Sequence, residues 1–409
     1  MKLCVVTQSY APTGGGGRTV MAAEQAWYAR HGIEYVRIVP GAVDNKEVDE
    51  GGITYTIASP MVPGSTMYRL LLRSDKVARL LDAERPDIVE THCIYNLPWT
   101  ALRYRARHGG IVSAFYMTDV PEAYVGAPVR KRLGRAAGGA TKWLAQRYVK
   151  NLYNRCDAVI AISQVMRQRL LDIGVQRTHL VPLGVDSEAY HPRNRSMAVR
   201  ESLGVAPDEL LLVYAGRLDR EREPEMLIKA MAELPRDFPA RLIVAGVGPM
   251  TEQLQAQASA EGRTQIMGFM PRQELAALLA SSDVYVSSMA HETFGLAVAE
   301  AQASGLPVVG VRAGAMTERV REASEDPRGD GYLVPPGDHR AMAARILETS
   351  REEWRLMGER ARERVATELS WDRTFEKMAG IYDAALAKAP GRRAVRRQSR
   401  NLSENRSVI

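Results

Sequence analysis

Short runs of consecutive apolar residues, many followed by a stretch of helical periodicity, recur along most of the chain. Runs at 2–7, 35–39, 53–57, 87–91, 111–116 and 157–162 predict strands, with helical patterns at about 66–84 and 98–108 among them. A polar stretch near 187–197, broken by Pro192 and Asn194, separates these from a second set. There the strand candidates are 210–215, 241–245, 264–268, 283–287, 307–311 and 331–334. They alternate with helices at about 223–234, 249–259, 272–281, 296–303 and 338–348. Strands separated by helices predict parallel sheets covered on both faces. The expected fold is therefore α/β, with two Rossmann-like doubly wound parallel-sheet domains at 1–188 and 189–370. Ligands of such sheets bind at the carboxyl ends of the strands, so the site is expected in a cleft between the domains. After Gly337 the pattern stays helical to about 388, apart from a break near Ser370-Trp371-Asp372, where Ser370 can cap a last helix.

Composition narrows the class. A chain of 409 residues with 45% apolar and 25% charged residues has the balance of a folded globular protein and the length of two domains. No window approaches the ~18 consecutive apolar residues of a membrane span, and Gln8 and Pro12 come too early for a signal peptide. A cytoplasmic protein is expected. Cys4, Cys93 and Cys156 are few, distant and set in apolar runs, which predicts reduced core thiols and no zinc site. The net charge of +7 is uneven: residues 1–188 carry 24 Lys/Arg against 17 Asp/Glu, residues 189–390 carry 25 against 30, and residues 391–409 carry 6 against 1. The basic first half predicts an anionic partner. Residues 391–409 are expected to form a disordered basic tail.

Three stretches carry chemistry. In 287–304 an apolar run gives way to a glycine turn and then to a helix of small and apolar residues. A helix start offers unpaired N–H groups and a positive dipole end, suited to phosphate. Glu292 stands beside it and Glu300 lies two turns on, among alanines, where a carboxylate needs a ligand or partner. In 212–222 a strand ending at Gly216 is followed by Arg217 and Arg222, whose forks match phosphate oxygens. Ala245-Gly246-Val247-Gly248-Pro249 makes a second strand-end glycine turn, and Gly14-Gly15-Gly16-Gly17-Arg18 a third near the N-terminus. Glycines there let backbone approach a ligand closely.

In order and spacing, G-R-L-x(3)-E-[KR], G-x-G-P, E-T-F-G-L-x(3)-E-A, Gly-Leu-Pro-Val-Val and Gly-Tyr-Leu-Val-Pro-Pro-Gly-Asp resemble the nucleotide-sugar domain of glycosyltransferase family 4. Pro86–His92, Ser113–Tyr124, Tyr153–Ser163 and Val181–Asp186 resemble its bacterial GDP-mannose-dependent mannosyltransferase and sulfoquinovosyltransferase branch. The resemblance implies a GT-B fold, a helix at 371–390 returning to the first domain, and a retaining transfer of a hexose from a nucleotide diphosphate sugar (GDP-mannose or UDP-hexose), with no metal or other cofactor. It implies that Gly216, Arg217, Arg222 and Gly246 hold the donor diphosphate. Phe294, Gly295 and Leu296 would offer N–H groups, Glu300 would bind ribose, and Glu292 would bind the donor sugar. Gly15, Gly16 and Gly17 would reach donor or acceptor from the other domain. Arg222 stands where lysine is usual.

Met117, in Met117-Thr118-Asp119-Val120-Pro121, stands where relatives have a histidine thought to help stabilise the transition state. Three readings are open: an altered donor, replacement of the histidine by Asp119 or His92, or a non-catalytic homologue that binds nucleotide sugar and regulates another transferase. A nucleotide-sugar epimerase of the same architecture fits the motifs less well.

Residues 129–155 hold Arg130, Lys131, Arg132, Arg135, Lys142, Arg147, Lys150 and Arg155 with no acid. Trp143, Leu144, Tyr148, Leu152 and Tyr153 interleave at near-helical spacing. Such a helix predicts contact with an anionic membrane surface, hence a peripheral protein with a lipid or saccharide acceptor. The alternative is a helix packed on the sheet with solvated charges. Nucleic acid is not expected, because no binding module is present.

Overall fold

A computed structural model describes residues 1–8, 10, 15–62 and 68–389. Pro12, Gly14 and the basic tail 391–409 lie outside the described residues. The chain divides into two compact units, Met1–Pro182 with Trp371–Ile409, and Leu183–Ser370. The first boundary falls before residue 188 because 183–190 is tied to the second unit. The Val185 N–H donates to the Leu369 carbonyl at 3.0 Å, and Arg362 Nη1 donates to the carbonyls of Ser187 and Tyr190 at 3.0 and 3.1 Å.

In the first unit the strands are β1 (Lys2–Val6), β2 (Glu34–Gly41), β3 (Asn45–Asp49), β4 (Gly52–Ala58), β5 (Ile88–Thr91), β6 (Ile111–Tyr116), β7 (Ala158–Ala161) and β8 (Thr178–Leu180). Among the described residues they form one sheet in the order β3-β4-β2-β1-β5-β6-β7-β8. Cys4 sits between Val36 and Val89 in parallel register. Strands β5, β6 and β7 are buried throughout, as apolar runs covered on both faces must be. The sheet is not wholly parallel: β3, sequence Asn-Lys-Glu-Val-Asp and exposed throughout, pairs antiparallel with β4 at one edge. It has no apolar run to betray it, and its charges discourage a further strand from adding there.

The second unit holds β9 (Leu210–Ala215), β10 (Ala240–Ala245), β11 (Thr264–Gly268), β12 (Val284–Val286), β13 (Val308–Val311) and β14 (Gly331–Val334), ordered β11-β10-β9-β12-β13-β14 and parallel. Leu212 pairs with Leu242 on one side and Val284 on the other. The chain winds outward from β9 through β10 and β11, then restarts on the opposite side at β12. The order thus reverses between β9 and β12, and the carboxyl ends of those two strands open a crevice for a ligand. In the first unit the same reversal lies between β1 and β5.

The last helix, Trp371–Lys388, belongs to the first unit. Phe375, Met378 and Tyr382 are buried, and Phe375 packs 6.0 Å from Trp27 and 6.3 Å from Tyr28, on the helix Gly16–Arg30.

Candidate functional site

The reversal in the second unit collects most of the residues singled out from the sequence. Strand β9 delivers Gly216, Arg217 and Arg222; β12 leads through Ser287 and Ser288 to Glu292. Backbone approach there is close enough to require glycine. A Cβ on Gly246 would lie 1.8 Å from the Gly216 carbonyl oxygen, and one on Gly248 would lie 2.2 Å from that of Leu218. The Ser288 hydroxyl donates to the Arg222 carbonyl at 2.8 Å, joining the two loops.

The two arginines differ. Arg217 is compensated by Asp219 at 3.2 Å and Glu221 at 3.8 Å, and its side chain is 38% exposed. Arg222 is largely enclosed, and its Nε has no hydrogen-bond partner among the described residues. Burial lowers its pKa, but Tyr214, Glu292 and Asp219 outweigh that and raise it above the ordinary arginine value. Arg222 is thus a permanent cation with an unused donor.

Beyond Glu292 the turn is held from within. Its Oε1 accepts from the Thr293 and Phe294 N–H groups at 3.1 and 3.4 Å, and its carbonyl accepts from Ala315 at 2.8 Å. Gly295, at φ 83°, takes the left-handed conformation that starts the helix Leu296–Ala303, and Phe294 is buried. The first N–H groups of that helix have no partner within it. Glu300 follows on the same helix. Burial pushes its carboxyl up to about 7, against the lowering effect of Arg272 and of a hydrogen bond with the Tyr190 hydroxyl. Arg272 stacks over the Tyr190 ring at 5.5 Å and pairs with Asp186 at 2.6 Å. Sequence reasoning missed Tyr190 and Arg272. Tyr190 lies just past the Val181–Asp186 motif, which could have pointed to it, whereas Arg272 carries no local signal.

Gly15, at φ 88°, precedes the helix Gly16–Arg30; its carbonyl accepts from Arg18 and Thr19, and a Cβ on Gly17 would meet nothing within 4 Å. Met117 follows β6 and is partly buried. Asp119 is committed: Tyr116 donates to its Oδ1 at 3.0 Å and Arg169 to its Oδ2 at 2.9 Å. His92 is held on one side, its Nε2 hydrogen-bonded to Glu90 and its ring stacked on Phe115 at 4.7 Å, while its buried Nδ1 has no hydrogen-bond partner among the described residues. Of the two candidates to replace the missing histidine, Asp119 has both oxygens paired and His92 keeps one ring nitrogen unpaired.

His92 belongs to a buried polar cluster in which one ligand atom each of Glu24, Glu90 and His92 lie within 4.8 Å of one another. Tyr382 donates to Glu90 and Tyr35 donates to Glu24 at 2.9 Å. Burial and the neighbouring Glu90 raise Glu24 well above the usual carboxyl range, so it holds a proton. The three cysteines are buried and free, and burial raises each thiol.

The basic segment forms a broken helical hairpin. A π-helical turn, Pro121–Gly126, leads into Ala127–Tyr153, interrupted at Gly134 (φ 86°). The arms approach closely at glycines: a Cβ on Gly138 would lie 2.5 Å from that of Arg130. Arg130 pairs with Glu122, which Lys142 also reaches at 2.6 Å, so these two cations are compensated. The expected apolar stripe divides. Leu152 and Tyr153 are in the core, and the Tyr148 hydroxyl donates to the Ile94 carbonyl at 2.8 Å, whereas Leu133 (73%), Trp143 (57%) and Leu144 (57%) are exposed. Arg147 lies 5.8 Å from the Trp143 ring, and Lys131 and Arg132 precede Leu133 on the arm that ends at Gly134. Among the described residues no helix is long and apolar enough to cross a membrane.

Two doubly wound α/β units, one presenting arginines and carboxylates at its strand reversal, define a GT-B glycosyltransferase. Residues 13–189 match the model of Glycosyltransferase Family 4 and residues 197–365 that of Glycosyl transferases group 1. The chain is 32% identical to a GDP-mannose-dependent alpha-(1-6)-phosphatidylinositol dimannoside mannosyltransferase of Mycobacterium tuberculosis, over 78% of this chain and 81% of that one. It is 28% identical to a GDP-mannose-dependent alpha-mannosyltransferase of Corynebacterium glutamicum, over 86% and 82%. In fold it is similar to the sucrose-phosphate synthase of Thermosynechococcus elongatus (TM-score 0.75, 21% identity, 94% of this chain and 99% of that one). It is likewise similar to Anabaena HepE in complex with UDP-glucose (TM-score 0.72, 19% identity, 94% and 100%). The chain belongs to glycosyltransferase family 4.

Proposed function

We propose that the protein is a retaining mannosyltransferase that uses GDP-mannose and acts on a lipid-linked acceptor at an anionic membrane surface. The observation that carries this reading is the pairing of Arg222, with its unused donor, and Glu292 at one strand reversal, with Glu300 on the helix that starts there. Arg222 and the N-terminus of Leu296–Ala303 would neutralise the diphosphate, with Arg217 secondary, so that no metal is required. Glu300 and Tyr190 would take the ribose hydroxyls, Glu292 the sugar. The mannosyl donor and lipid acceptor are supported by what the M. tuberculosis relative is named for. In a retaining transfer of this kind the leaving phosphate serves as the base for the acceptor hydroxyl, and no enzyme nucleophile is needed. Met117 then costs one polar contact to the transition state, a rate loss of ~10²–10³.

Because a ligand that binds only the folded state raises its melting temperature, GDP-mannose and GDP are expected to stabilise the protein more than UDP-glucose and UDP. Turnover should follow with a mannolipid or phosphatidylinositol mannoside acceptor. A larger shift with UDP sugars would sink the mannosyl reading. Tight binding with no turnover on any acceptor would favour the non-catalytic homologue that Met117 raises.

For the membrane, the exposed apolar side chains Leu133, Trp143 and Leu144 stand near the cations Lys131, Arg132 and Arg147 in sequence, with Arg147 against the Trp143 ring. Flotation with vesicles containing anionic lipid is expected to carry the protein, and vesicles of neutral lipid are not. Equal flotation with both would remove the electrostatic part of the reading.

A further inference from the structure

Arg319 ends the short helix Met316–Arg319 and is only 6% exposed. Its guanidinium carbon lies 4.6 Å from the centroid of the Phe294 ring. Its Cγ would sit 3.1 Å from a Cβ placed on Gly295, the residue that caps Leu296–Ala303. The side chain therefore lies against the turn that delivers Glu292 and starts the helix. Its Nε and Nη1 have no hydrogen-bond partner, and it forms no ion pair, among the described residues. The nearby Arg364 is itself taken by Asp330 at 2.6 Å.

Burial, reinforced by Arg364 and only partly offset by Glu318, Glu368 and Asp330, pulls the Arg319 pKa down to about 10, so it stays charged at neutral pH. A buried cation with no carboxylate in ion-pair contact is compensated only at a distance, by Glu318, Glu368 and Asp330, and here it stands beside the positive end of a helix dipole, which adds to the cost. Both burdens are relieved by one thing, an anion at the helix start. Phe294 and Gly295 separate the guanidinium from that position, so its charge acts through the turn without touching the anion. The low dielectric of the packed turn lets it do so with little screening.

The geometry points to Arg319 as a positioning residue that completes, with the N-terminus of Leu296–Ala303, an anion site for the diphosphate of the donor; the assignment rests on the donor reading above. Arg319 lies past the end of β13 at Val311 and the glycine turn at Gly314, but neither signal singles it out from its neighbours.

The test is calorimetric titration of the full-length protein, and of its Arg319→Met and Arg319→Lys variants, with GDP, pyrophosphate and guanosine, alongside melting temperatures. Arg319→Met, which removes the buried charge and keeps much of the volume, is expected to melt higher than wild type. It should bind GDP and pyrophosphate about tenfold more weakly, a range typical of one charged contact. Guanosine affinity should be unchanged, and Arg319→Lys should recover most of the loss. Unchanged diphosphate affinity in Arg319→Met, or an equal loss for guanosine, overturns the role of Arg319. Wild-type protein that binds neither GDP nor pyrophosphate removes the donor reading, and this inference with it.

Discussion

Replacing Arg222 by methionine is expected to lower kcat/KM for the donor by ~10²–10³, and replacing Arg217 in the same way by only about tenfold. The sequence presents the two as equals, five residues apart after one strand. Their surroundings separate them. Arg217 spends its charge on Asp219 and Glu221 and faces solvent, where ion pairs are screened. Arg222 is enclosed, keeps an unused Nε and lies near Glu292, so a phosphate arriving there meets a desolvated cation. Steady-state kinetics with the donor that most raises the melting temperature would check the ranking. A larger loss for Arg217→Met would show that the diphosphate lies on the solvent side of the loop.

The second large effect is on stability. Glu90→Ala removes the acceptor for both His92 and Tyr382 in a site fully closed to solvent, and leaving buried polar groups unpaired in this way costs about 3–5 kcal/mol. Glu24→Gln, by contrast, replaces a protonated carboxyl by a neutral amide and should be tolerated. Glu24 also gives a pH signature whose sign is fixed. Its folded pKa is raised above 4.5, so the folded state keeps a proton that the unfolded chain releases. The stability this contributes is complete below pH 4.5 and is lost as pH rises toward the folded pKa. Melting temperature should thus fall as pH rises above 4.5 in wild type, and less steeply in Glu24→Gln. Parallel slopes in the two proteins would mean that Glu24 is ionised in the fold. The groups that face it, Glu90, His92, Tyr28, Tyr35 and Tyr382, remain in both.

The elements legible in the sequence were those whose burial follows from their own residues. Strands such as β1, β6 and β9 are covered on both faces and read as unbroken apolar runs. Strand β3 could not be read, because its pairing is set by the turn at Glu50–Gly51 and by β4 rather than by its own polar residues. At the site, Gly216, Arg217, Arg222, Glu292 and Glu300 stood out because their spacing follows strand ends and a helix repeat. Tyr190, Arg272 and Arg319 did not, because what places them beside the others is the folding of separate segments. Asp119 and His92 have the chemistry of catalysts in the sequence, and only the fold shows their partners, Arg169 and Tyr116 for the one and Glu90 for the other.

The return of Trp371–Lys388 to the first unit sets an order of events during synthesis. Tyr382 and Glu90 are hydrogen-bonded across 292 positions of the chain, so the whole of Leu183–Ser370 is made before that bond can form. The unit that begins first is the last to be finished, and its buried Glu90 waits for the final helix. A transcript cut short before Trp371 therefore yields an entire second unit joined to a first unit whose core lacks its closing element.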